Sequence, residues 1–134
     1  MFERVQYNDL NSRQKENYNF QKLAGELADY GFNCLRLNDD WQGADFLACH
    51  INGVLFLKVQ LKGRMTIDKK YLGKDIHIAF FDGDCCYVYP HDEMLERILN
   101  LEKIGASKSW LENGAYSWPR PPVWAVNILD DYKV

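Results

Sequence analysis

The chain has 134 residues, 47% of them hydrophobic and 14% aromatic, which is enough for one packed domain and excludes both a second core and a disordered chain. Its net charge of −3 is unpromising for a protein that binds nucleic acid through general basicity. No apolar run approaches a membrane span, and residues 1–20 are too polar for a signal peptide, so a cytoplasmic protein is expected.

Residues 1–11 read as a polar, partly ordered arm. Asn11 or Ser12 is placed to cap a helix that runs to about Tyr30 and ends at Gly31. Phe20, Leu23, Ala24 and Leu27 recur at helical spacing as its buried stripe. Glu16 lies one turn before Phe20 on nearly the same face, with Gln21 rotated to a flank. A strand over residues 32–37 leads into a turn at Asn38-Asp39-Asp40-Trp41-Gln42-Gly43. A second strand, 44–51, and a third, 54–63, flank a tight Asn52-Gly53 turn. A basic loop follows, then a hairpin of strands 76–81 and 85–89 turning at Asp82-Gly83-Asp84. Pro90 ends the hairpin, and His91 or Asp92 starts a short amphipathic helix to about Asn100.

Helix, three strands, loop, hairpin and helix give a single-domain α/β fold with a mixed sheet of about five strands flanked by helices. The expected core spans about residues 12–102. Residues 103–134 form an extension rich in Pro and aromatic residues, either a partner arm or a segment packed back on the sheet. Cys34, Cys49, Cys85 and Cys86 contain no CxxC pair, and three sit in hydrophobic strands, as buried free thiols of a reducing compartment do. With His50 and His91 they match no common zinc spacing.

The polar chemistry concentrates around the second and third strands. In Val59-Gln60-Leu61-Lys62 the side chains alternate, so Gln60 and Lys62 share the face opposite Val59 and Leu61. Asp45, in Gly43-Ala44-Asp45-Phe46-Leu47, lies on the neighbouring strand. Residues 58–74 also hold Lys58, Lys62, Arg64, Lys69, Lys70 and Lys74 against the lone acid Asp68. A local basic stretch of this kind can meet phosphates within an acidic chain, because salt screens distant charge.

An Asp followed at strand spacing by Gln-x-Lys resembles the PD-(D/E)XK nuclease superfamily in its Gln-x-Lys variant. That core also begins with a helix and a three-stranded meander, and the resemblance covers about residues 12–90. It implies a restriction-endonuclease-like fold, cation-dependent hydrolysis of DNA and frequent homodimers. Asp45, Gln60 and the main-chain carbonyl of Leu61 would then hold Mg²⁺ or Mn²⁺, with Lys62 orienting the attacking water or neutralising developing charge. Related nucleases often add a Glu from the first helix. Phe20 occupies that place here, and Glu16, one turn earlier, is the anionic substitute. Asp39 and Asp40 either extend the metal site or form a solvated turn.

Arg64, Lys69, Lys70 and Lys74 are the expected phosphate contacts, with Gln21 and Trp41 at the edge of the nucleic-acid surface. Because Gln60 is neutral, the same pattern also accommodates a catalytically inactive module that binds nucleic acid or a partner.

Overall fold

A computed structural model describes residues 1–134. Helix α1 (Ser12–Ala28) begins with a reciprocal cap. The Asn11 side chain accepts the Gln14 amide, and the Gln14 side chain accepts the Asn11 amide, both at 2.9 Å. After α1, Gly31 at φ +87° turns the chain into β1 (Phe32–Trp41). β2 (Ala44–His50), β3 (Phe56–Leu61), β5 (Ile76–Asp82) and β6 (Cys85–Pro90) complete a five-stranded sheet ordered β1-β2-β3-β5-β6, with β4 (Met65–Asp68) outside it. The first three strands form an antiparallel meander, β5 runs parallel to β3, and β6 returns antiparallel. The expected mixed α/β architecture is therefore present.

Strand alternation sorts the core onto two faces. On one face, Phe46, Ala48, Val59, Ala79 and Val88 pack under Leu23 and Leu27 of α1. On the other, Ile76, Ile78, Phe80, Tyr87 and Tyr89 meet Met94, Leu95 and Ile98 of α2 (His91–Asn100). That second cluster also takes Ile104, Trp110, and Ala125, Ile128 and Leu129 of α3 (Val123–Leu129). Residues beyond 102 thus supply part of the core.

Two segments differ from the sequence reading. β1 continues to Trp41, so the expected six-residue turn contracts to Gln42-Gly43, with φ +54° and +88°. The polar Asn-Asp-Asp run looked like a turn, but it is an irregular stretch of an edge strand.

The basic loop likewise contains β4 and a 3₁₀ turn over Lys69–Tyr71. β4 pairs antiparallel with β7 (Ala115–Trp118), a partner far along the chain that local pattern does not reveal. The Tyr89 hydroxyl anchors this pair to the main sheet, donating to the Thr66 carbonyl at 2.5 Å and accepting the Thr66 amide at 3.1 Å.

All four cysteines are free thiols. Burial pushes Cys34 up to about 11, with neighbouring Cys49 adding to the shift, and Cys86 up to about 12. Both are held as inert thiols. No helix is long and apolar enough to cross a membrane.

Candidate active site

The site forms where β1, β2 and β3 come apart. The β2–β3 ladder runs from Cys49–Phe56 to Phe46–Val59, and one further step sets Asp45 opposite Gln60. There the Asp45 carboxylate replaces the ladder, its Oδ2 accepting the Leu61 amide at 2.9 Å. This bond fixes one carboxylate oxygen and leaves the other unengaged. β3 continues toward β5, where the Lys62 amide donates to the Ala79 carbonyl at 2.8 Å. Its ammonium lies 5.5 Å from the centre of the Tyr71 ring.

On the other side of Asp45, Arg36 pairs with Phe46 but Trp41 pairs with Ala44. Residues Leu37–Asp40 therefore stand against Asp45 alone, a bulge of the kind that re-aims side chains beside sites. It brings Asp39 and Asp40 into a polar cleft of about 900 Å³ with Asp45 and Glu16, alongside Arg13 and Arg36. Lys62 opens instead into a neighbouring cleft of about 620 Å³, with Tyr18, Lys22 and Glu26.

Burial raises the Asp45 carboxyl above its usual range; the Leu61 amide opposes this, Glu16 raises it further, Lys62 lowers it, and Asp40 raises it again. Glu16, Asp40 and Lys62 thus all stand close enough to act on the Asp45 carboxylate.

Glu16 is not free. Its Oε1 accepts from Arg36 Nη2 at 2.9 Å, while Arg36 Nη1 donates to Asn17 Oδ1 at 2.9 Å. The guanidinium lies over Phe20, 5.4 Å from the ring centre. Phe20 in turn packs edge-on against Phe46 at 5.0 Å, so hydrocarbon fills the expected place of a helix acid.

The remaining residues expected at a nucleic-acid surface divide. Arg64 and Gln21 are exposed. Trp41 is 48% exposed beside Lys58, whose ammonium donates to the Lys74 carbonyl. Lys70 spans Asp68, at 3.8 Å, and the Tyr71 ring. Lys69 lies over Trp110, 4.9 Å from the ring centre, and its stem packs against Gly114. Part of the basic segment therefore holds the fold together.

Glu16 and Asp40 bring carboxylates close enough to act on Asp45, and the register sets Gln60, a carboxamide, opposite it. This is an all-oxygen set of the type taken by hard divalent cations. The like-charge repulsion on Asp45 is of the sign a cation relieves. The donor chemistry therefore fits Mg²⁺ or Mn²⁺, although no three His, Cys, Asp or Glu side chains stand gathered at ligating distance. Of the Glu16 carboxylate, Oε1 is held by Arg36 and Oε2 has no protein partner.

Among solved structures, the chain is similar to the bacterial homing endonuclease I-Ssp6803I. The TM-score is 0.47 over 63% of this chain and 69% of that one, at 20% identity. A likeness of that degree concerns the course of the chain and carries no conclusion about chemistry. No family model matches the chain, and no curated protein does.

Sequence reasoning missed Arg36 and the bridging role of His91. A lone cation within the apolar run Phe32-Asn33-Cys34-Leu35-Arg36-Leu37 was the available signal for the first. The second was concealed, because His91 contacts Asp68 across the fold.

Proposed function

We propose that this chain is a divalent-cation-dependent endonuclease acting on DNA. The observation that carries the reading is Asp45 set opposite Gln60 at the end of the β2–β3 ladder, with Lys62 directly after β3 and Asp39 and Asp40 of the β1 bulge lining the same cleft as Asp45. In this reading Asp45, Gln60 and the Leu61 carbonyl hold Mg²⁺ or Mn²⁺, which when bound supplies charge stabilisation and an activated water.

The chain's own groups have separate tasks. The Leu61 amide holds the Asp45 carboxylate in one orientation, so little rearrangement is needed at the moment of reaction. Lys62 offers a proton donor and a positive charge beside the reacting phosphate. Arg64 and Lys74 take phosphates farther along the backbone, with Lys70 at the margin. One chain carries one such site, so cutting both strands of a duplex calls for two copies.

A second reading is supported by the Glu16–Arg36 ion pair and the neutral Gln60: a module on the same scaffold that binds DNA without cutting it. Replacing Gln60 by Glu separates the two. A nuclease weakened by its carboxamide gains Mg²⁺-dependent cleavage in Gln60→Glu, whereas a binding module gains none while retaining its DNA affinity.

A further inference from the structure

We infer that Arg36 is a built-in counter-ion of the acidic cleft, displaced from Glu16 when a divalent cation binds and then turned toward a substrate phosphate. The inference rests on the proposed nuclease reading and adds a residue and an order of events to it.

Several observations converge on Arg36. It projects from the strand beside Asp45, in the cleft that also contains Glu16, Asp39 and Asp40. Both terminal nitrogens are used, one on Glu16 and one on Asn17, each at 2.9 Å. The guanidinium carbon lies over the Phe20 ring, 5.4 Å from its centre, so release from Glu16 would leave the group beside an aromatic surface. The pair is also shallow: Glu16 is 58% and Arg36 35% exposed, a setting in which an ion pair is weak and exchangeable.

A divalent cation near Asp45 would repel a fixed guanidinium and attract the Glu16 carboxylate. Both effects favour the same exchange, in which Glu16 turns to the cation and Arg36 is released. A released planar fork suits a phosphate better than a point charge does. The metal-free pair would therefore keep the acidic cleft from self-repulsion and link cation loading to DNA binding.

Calcium provides a probe without cleavage. Calorimetry of the full chain with Ca²⁺ alone compares wild type with Arg36→Met, which keeps the stem against Phe20 but removes the charge. The inference expects Arg36→Met to bind Ca²⁺ about two- to tenfold more tightly, the scale set by losing a weak competing pair and a nearby positive charge. Unchanged or weaker Ca²⁺ binding overturns it.

DNA affinity gives a second measure. Arg36→Met should match wild type without cation and lose affinity when Ca²⁺ is present; an equal loss in both conditions overturns the exchange. Arg36→Lys, which retains charge but not the fork, serves if the Met variant does not fold. It should keep wild-type Ca²⁺ affinity and lose DNA affinity only with Ca²⁺; the same equal loss overturns the exchange. Asp45→Asn separates the two levels of the argument. If that variant binds Ca²⁺ as wild type does, the active-site reading itself fails, whereas its loss of binding with an unaltered Arg36→Met refutes the counter-ion role alone.

Discussion

The amide of Asp68 donates to Nε2 of His91 at 3.0 Å, although the two residues lie on separate elements. With Nε2 accepting, the proton resides on Nδ1, which meets Asp92 Oδ1 at 2.9 Å. Asp92 Oδ2 accepts the Gly73 amide at 3.0 Å, and the Tyr71 ring packs edge-on against the fully buried imidazole. His91 thus fixes the Asp68 end of the segment carrying Lys69 and Lys70, orients the Asp92 that fixes its Gly73 end, and packs against the Tyr71 ring that lies near Lys62.

His91→Ala should therefore destabilise the protein by about 2–3 kcal/mol, because it opens a buried hole and orphans the Asp68 amide. Urea unfolding measures this. A change within about 0.5 kcal/mol, the range of an ordinary surface substitution, contradicts the bridging role.

Gly43 makes the adjacent turn possible. At φ +88° it adopts a conformation that disfavours side chains, and an added Cβ would lie 3.2 Å from Cδ1 and Cε1 of Tyr71. Gly43→Ala should lower stability by about 1–3 kcal/mol and shift the Tyr71 ring resonances. Normal stability with unmoved Tyr71 resonances would show that the turn tolerates a side chain.

How much could be read in advance varied with the range of the interaction. The Asn11 cap, the Leu23 and Leu27 stripe and the 85–89 strand follow from local pattern, and all are present. Asp45 opposite Gln60 was legible because a two-strand meander joined by a short turn leaves few registers open. The β1 bulge was not legible, since Asn38-Asp39-Asp40 has the composition of a turn. Nor was β4, whose partner Ala115–Trp118 is remote in sequence. The face of Glu16 was read correctly, but its partner depends on how α1 rests against β1.

Deleting residues 107–134 is expected to abolish cooperative folding. The deletion removes β7, the partner of β4, together with Trp110, Ala125, Ile128 and Leu129 from the larger core cluster. Near-ultraviolet circular dichroism and thermal unfolding of the truncated chain test this. A sharp transition near the wild-type Tm would mean that the extension is dispensable.

Asp45 should contribute to how stability varies with pH. Its carboxyl is raised by burial and by the nearby acids Glu16 and Asp40, against the pull of the Leu61 amide and Lys62. A carboxyl raised on folding contributes stability fully below the unfolded value of about 3.9, and that contribution is lost as pH rises through the folded value. Ionised Asp45 therefore strains the fold at neutral pH. Asp45→Asn can still accept the Leu61 amide, so it should raise the Tm at about pH 7 and have little effect at about pH 3. A lower Tm at neutral pH would reverse the assigned sign.

Cleavage of a DNA panel by wild type, Asp45→Asn and Lys62→Ala in Mg²⁺ or Mn²⁺ tests whether Asp45 and Lys62 form a nuclease site. Supercoiled plasmid, linear duplex, branched and single-stranded DNA make up the panel, and DNA binding is measured in parallel. Wild type should cut in a cation-dependent manner, with cutting reduced about 100-fold or more in both variants while binding is largely retained. Undiminished cutting in both variants would place the chemistry elsewhere, and binding without cutting by wild type would contradict the assignment of a nuclease.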